Sequence, residues 1–175
     1  GIWVAGEKGL FRKGPTLRKF FSVDLRADDD TPVSGITSII KDRNVCLWIV
    51  ARSCGLLRYD IREKKTYIYD DPLLRQARVV FCDSAGTIWV GTAGSGLLQL
   101  ENPYSPNDLK YIRYYHTSDE RSLLDDSISD IVEDKARGIL WIGTHCGLSV
   151  LHDKGSILSF ENFKSGLKIG DLPYN

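Results

Sequence analysis

Methionine is absent from this 175-residue sequence, as is any apolar run of 18 or more residues and any stretch with helical i, i+3, i+4 spacing. The missing run excludes a membrane-spanning helix within this piece, and the missing periodicity excludes a helical array. Neither sign of charge is in excess, with Lys+Arg and Asp+Glu at 23 each. Nucleic acid and anionic membrane surfaces are therefore not expected partners. Cysteine is sparse and unpatterned: Cys46, Cys54, Cys82 and Cys146 form no Cys-x-x-Cys pair and have no His at zinc-ligand spacing. No metal and no cofactor is expected. Cys54 and Cys146 hold the same slot in two non-adjacent repeats, a poor fit to a disulfide, which needs α-carbons within roughly 7 Å. Four free thiols are expected. Phosphate-binding loops and nucleophile elbows are also missing. A chain without methionine that opens inside a strand phrase reads as a piece of a longer protein, so absent targeting signals carry no information.

What the sequence does contain is one phrase written four times. Gly86-Thr-Ile-Trp-Val-Gly-Thr-Ala-Gly-Ser-Gly-Leu-Leu-Gln-Leu100 is its fullest form. The others run from Leu47-Trp48-Ile49 to Gly55-Leu56, from Leu140-Trp141-Ile142 to Gly147-Leu148, and from Ile2-Trp3-Val4 to Gly9-Leu10. Trp3, Trp48, Trp89 and Trp141 are all the tryptophans of the chain, and Gly9, Gly55, Gly96 and Gly147 follow them by six or seven residues. The period is 45, 41 and then 52 residues, a length that points to propeller blades or helical arrays; the helical alternative is already excluded.

Around this phrase the unit is legible as four short strands. Ile36–Asp42, Ala77–Asp83 and Ile128–Asp134 align without gaps as first strands, each ending in Asp before a turn-like segment. Aspartate next to Gly or Asn suits a hairpin, because the carboxylate accepts backbone N–H bonds. The Trp phrase is the second strand, Gly-Leu opens the third, and Thr66–Tyr69, Tyr111–Tyr115 and Ile157–Phe160 are aromatic fourth strands. The first repeat offers Ile2–Ala5, Gly9–Arg12 and Leu17–Val23, followed by the polar connector Ala27–Pro32. A four-stranded antiparallel sheet repeated at about 40–45 residues is a propeller blade. The expected fold is thus all-β, a partial β-propeller over 1–175, with blades at 1–24 (lacking its first strand), 34–70, 76–116 and 127–163, and 164–175 leading into a further blade. Small residues after each Trp let neighbouring blades approach. The long third period comes from two turn-rich insertions, Glu101–Asp108 and His116–Asp126.

Tyr111-Ile-Arg-Tyr-Tyr, Ser122-Leu-Leu-Asp-Asp126, Ile128–Asp134 and Leu140-Trp-Ile-Gly-Thr-His-Cys-Gly-Leu148 together resemble the two-component regulator propeller repeat. The first two repeats depart from its Trp-Ile-Gly-Thr, with Trp-Val-Ala-Gly and Trp-Ile-Val-Ala. The tail, through Ser165-Gly-Leu167 and Leu172-Pro-Tyr-Asn175, resembles the lead-in to another blade. The resemblance implies the sensory ectodomain of a membrane-bound hybrid histidine kinase of the Bacteroidetes type, periplasmic, non-catalytic in this segment and sensing oligosaccharides. Its partners would be the ligand and the neighbouring blades and domains of the parent, with a membrane reached only through parts of the parent outside this sequence. Two alternatives stand beside it: an interaction scaffold without a small ligand, and a propeller lyase or glycosidase.

The tryptophans invite a sugar-stacking role, but an element repeated in every blade serves packing, and loss of a buried Trp costs roughly 3–5 kcal/mol. Asp42, Asp83 and Asp134 could be read as hydrolytic carboxylates; their recurrence at one slot beside a turn favours hairpin stabilisation. Ligand contacts belong instead to positions that differ between blades. Second-to-third turns and fourth-to-first connections emerge at one rim, and Arg52, Arg75, Arg78 and His145 lie in or beside them. They are the ligand-binding candidates, able to meet near the central axis and suited to carboxylated or sulfated sugars through charge-assisted hydrogen bonds.

An open arc of blades leaves a sheet face uncovered at each end, which repeat proteins tolerate poorly. The expectation is that the 175-residue chain either self-associates, alone or as a dimer of its parent, or is only part of a larger folded unit; a clean monomer in sedimentation with one cooperative melt would contradict it.

Overall fold

The computed structural model describes residues 1–16, 18–27, 30–153 and 158–164. Strands β1 (Ile2–Gly6), β2 (Gly9–Lys13) and β3 (Phe21–Val23) form a three-stranded sheet, blade 1. Blade 2 holds β4 (Ile36–Lys41), β5 (Cys46–Ala51), β6 (Gly55–Asp60) and β7 (Lys65–Ile68). Blade 3 holds β8 (Ala77–Cys82), β9 (Ile88–Thr92), β10 (Leu97–Leu100) and β11 (Tyr111–Tyr114), and blade 4 holds β12 (Ile128–Asp134), β13 (Ile139–Thr144), β14 (Gly147–Asp153) and β15 (Leu158–Lys164). All pairs are antiparallel and follow chain order. The innermost strands β4, β8 and β12 pack on one another in succession and β1 lies against β4. The fold is a β-propeller segment.

Some expected boundaries shift. The strand expected at Leu17–Val23 is confined to Phe21–Val23, with Leu17 outside the described residues. Tyr69 leaves β7 and turns into the core, and β15 extends to Lys164, while Ile157 lies outside the described residues. Asp28 and Asp29 of the polar connector, and the lead-in Ser165–Asn175, also lie outside them. A feature invisible in the sequence is a register shift at the same point of each inner strand, Ile36/Ser38, Ala77/Val79 and Ile128/Asp130. Such a bulge re-aims one side chain. Here it leaves Thr37, Arg78 and Ser129 exposed, and the Thr37 hydroxyl donates to the Arg78 carbonyl of the next blade at 3.2 Å.

Three apolar clusters glue the blades. Leu10, Leu47, Ile49 and Leu57 are among those between blades 1 and 2, Trp48, Leu56, Tyr69 and Val90 between blades 2 and 3, and Trp89, Leu97, Ile128 and Ile142 between blades 3 and 4. Strands sandwiched on both faces can afford no polar face, which is why β5 and β9 are buried along their whole length. The end blades differ: Trp3 and Trp141 are half-buried, and Ile2 and Val4 are exposed.

Two devices repeat from blade to blade. At the foot of the first hairpin in blades 2 and 3 the aspartate acts as a clamp. Asp42 accepts the Cys46 amide at 2.8 Å and the Trp48 indole N–H at 2.9 Å. Asp83 accepts the Ala85 and Thr87 amides at 3.0 and 2.8 Å and the Trp89 indole at 2.8 Å. At the other end, Gly9, Gly55, Gly96 and Gly147 all have positive φ. A Cβ on Gly55, Gly96 or Gly147 would stand under 3.0 Å from the carbonyl oxygens of Leu74, Tyr114 and Phe163 respectively. In blades 2–4 the repeated glycine is therefore required twice over, for its φ and for contact with backbone at the end of the fourth strand or just after it. Gly91 is small for a different reason, because a Cβ there would collide with Val79 and with Ile128 of the next blade.

The Glu101–Lys110 insertion folds as a strap over the foot of blade 2. Tyr104 donates its hydroxyl to Asp42 Oδ2 at 2.8 Å and sets its ring edge-on to Trp48 at 5.9 Å. Arg58, 7% exposed, stacks between Tyr67 (4.3 Å) and Tyr104 (5.4 Å), and the Tyr69 hydroxyl donates to the Pro103 carbonyl. Burial pushes the Tyr69 hydroxyl up to about 12; burial and then the Asp42 bond push Tyr104 upward as well.

Two outcomes follow for stability. Gly96→Ala loses about 3 kcal/mol or more, because φ and clash add, whereas Gly86→Ala, at φ +95° with nothing within 4 Å, loses only about 1 kcal/mol; chemical denaturation of both variants checks this. Because Tyr69 holds its proton more tightly folded than unfolded, its contribution is complete below about pH 10 and is lost as pH rises towards the folded value of about 12. An alkaline series of melts should show a fall of about 2 kcal/mol, flattened in the Tyr69→Phe, Tyr104→Phe variant.

Candidate functional site

The strands alternate in direction, so the β5–β6 and β13–β14 turns share one rim with the connections from β7 to β8 and from β11 to β12. Arg52, Arg75, Arg78 and His145 all lie at this upper rim, and the structure brings two of them together. Arg52 and Arg75 border one cleft of about 450 Å³, with Ala27 and Thr31 on one side and Ser53, Cys54 and Asp70 on the other. Its wall includes Ile68 and Tyr69 at the end of the outermost strand, so these arginines meet over the outer part of blade 2. Arg75 is positioned by the short 3-10 turn Leu74–Gln76, whose Leu74 is fully buried. Asp71 caps that turn through the Leu73 and Leu74 amides at 2.8 and 3.2 Å. Arg75 then pairs with Asp70 at 2.6 Å, and Arg52 pairs with Glu7 of blade 1. Both arginine side chains are 67% exposed. Exposed pairs of this kind contribute little to stability, and each guanidinium keeps donors that an anionic group can use.

Arg78 and His145 do not border that cleft. Arg78 is exposed on the inner strand of blade 3, and His145 is exposed in the β13–β14 turn, with its amide on the Ser127 carbonyl at 3.0 Å. Sequence reading missed Glu7 and Asp70 as the partners of the two arginines. The acidic pair Asp70-Asp71 ahead of Pro72 was the available signal. A second rim cleft, about 430 Å³, was also missed; His116, Asp119, Glu120, Asn162 and Lys164 border it. It is fixed from below by buried Ser149, which accepts the Leu124 amide at 3.1 Å and donates to Asn162 at 2.7 Å.

None of the four cysteines forms a disulfide. Burial raises the Cys46 and Cys82 thiols, and the Asp125 hydrogen bond raises Cys146, so none of these three is an activated thiolate. Among the described residues no group of three or more His, Cys, Asp or Glu is placed to hold a metal ion, and no helix is long and apolar enough to cross a membrane.

No family model matches the chain, and no curated protein matches it. Solved structures do. The extracellular domain assigned to a one-component system, BT4673, of B. thetaiotaomicron matches with a TM-score of 0.67 at 22% identity over 85% of this chain and 19% of its own. The extracellular domain assigned to a hybrid two-component system, BT3049, of the same organism matches at TM-score 0.61, 20% identity, 74% of this chain and 18% of its own. PorZ, a surface component of the type-IX secretion system of Porphyromonas gingivalis, matches at TM-score 0.62, 16% identity, 90% of this chain and 24% of its own. The chain thus spans only about a fifth of these structures. At such identities they share its fold, and the fold is common to sensors and to a secretion component.

Proposed function

We propose that this chain is a segment of an extracytoplasmic sensory propeller belonging to a hybrid two-component histidine kinase, and that it binds an acidic oligosaccharide without catalysing a reaction on it. The observation that carries the reading is the division of labour within the blade. The repeated Trp, Gly and Asp serve packing and turns, whereas the two arginines of the rim cleft have no counterpart in the other blades. Arg52 and Arg75 face that cleft from two different connections. Two guanidiniums on one opening recognise carboxylate or sulfate groups by paired hydrogen bonds. A cleft of about 450 Å³ falls within the usual range for small-ligand sites. Fold neighbours described as extracellular domains of Bacteroides signalling systems support the placement outside the cytoplasm.

The test is a thermal-shift panel of acidic and neutral oligosaccharides on the 175-residue chain. Acidic sugars should raise the melting temperature, since a ligand of the native state stabilises it by mass action. The shift should vanish in Arg52→Ala and Arg75→Ala and persist in His145→Ala, which lies away from the cleft. No shift with any sugar would overturn the proposal in favour of a scaffold that works by domain contacts.

A further inference from the structure

The lower rim carries a slot that the rim cleft's ligand does not use. Between blades 3 and 4 a cavity of about 210 Å³ is bordered by Asp83, Trp89, Gln99, Glu133, Leu140 and Leu151, with Leu158 at its edge. Its wall on blade 3 repeats the foot of blade 2 position by position: Asp83 stands where Asp42 does, Trp89 where Trp48 does, and Gln99 where Arg58 does. At the foot of blade 2 the structure shows what covers these three residues, namely Tyr104, which meets Asp42, Trp48 and Arg58 together. Asp42 Oδ2 accepts both an indole N–H and a phenol O–H. Asp83 Oδ2 accepts the Trp89 indole in the same way, and a carboxylate oxygen has lone pairs for two such donors.

The strap that brings Tyr104 is the long β10–β11 connection. In blade 4 the sequence between β14 and β15, Lys154–Ile157, holds no aromatic residue and lies outside the described residues. Glu133 holds the Ser84 amide at 2.9 Å at the mouth of the slot, so the hairpin of blade 3 is tied to blade 4 and the two walls are fixed relative to each other. Ser84, Ala85 and Gly138 at this mouth are exposed.

We infer that the slot between blades 3 and 4 is a docking site for a tyrosine side chain presented by a partner polypeptide, with its hydroxyl on Asp83 and its ring edge on Trp89. The partner would supply in trans what Glu101–Lys110 supplies in cis one blade earlier. Tyrosine, not an apolar residue, is the match, because the carboxylate at the slot floor asks for a hydrogen-bond donor.

The experiment titrates p-cresol, toluene and methyl glucoside into the isotope-labelled chain and follows the tryptophan indole N–H signals. p-Cresol should shift the Trp89 signal saturably in the wild type and leave Trp48 in place. Toluene should bind about tenfold more weakly, the value of one hydrogen bond to a carboxylate. In Tyr104→Ala, p-cresol should shift Trp48 as well, which calibrates the chemistry on the known phenol site. Leu158→Trp, which fills the slot from its rim without removing the clamp, should abolish the Trp89 response. A Trp48 response in Tyr104→Ala with none at Trp89 in the wild type would overturn the inference. So would equal binding of toluene, or a Trp89 response to methyl glucoside alone, which would make the slot a sugar subsite.

Discussion

One carboxylate at the foot of the blade fixes the rest. A hairpin leaves backbone amides pointing into its own bend, and an indole buried between sheets must satisfy its N–H; both are costly if unpaired. The aspartate six residues before the tryptophan answers both at once, at Asp42 and again at Asp83. Each such bond to a charged acceptor is worth about 1.5–3 kcal/mol, so the clamp sets the register of the first two strands and the rotamer of the largest core side chain together. In blade 4 the spacing differs by one residue. Asp134 lies seven residues before Trp141, and its Oδ2 turns to Arg137 at 2.6 Å while Oδ1 takes the Ala136 and Arg137 amides.

The repeated glycine completes the blade at the opposite end. In blades 2–4 it lets the third strand begin against backbone at the end of the fourth or just after it, so the upper rim is held close to the sheet. Loops that leave such a rim can vary freely in sequence without disturbing the core. This is how Arg75 on a one-turn helix and Arg52 on a tight turn come to border one cleft, each paired with a carboxylate.

The architecture was legible in the sequence because the blade is written four times and its periodic residues answer to packing alone. Trp48, Gly96 and Asp83 each have one role, dictated by geometry common to all blades, and recurrence reveals it. The inner-strand bulge left no mark, since Thr37, Arg78 and Ser129 share no side-chain chemistry. The cleft was half legible. Arg52 and Arg75 were recognisable as irregular rim charges, but their meeting at one cleft depends on how two different connections fold together, which no repeat spacing reveals. Tyr104 was hidden for a related reason: an insertion read as a variable loop turned out to use the repeat's own clamp.

Indole hydrogen exchange tests the clamp most directly. The Trp48 and Trp89 indole N–H groups, bonded to the Asp42 and Asp83 carboxylates, should exchange only as fast as the chain unfolds globally. In Asp83→Ala the Trp89 indole should become fast while Trp48 stays protected. Rapid exchange of both indoles in the wild type, or unchanged protection of Trp89 in Asp83→Ala, would contradict the clamp as the interaction on which the blade is built.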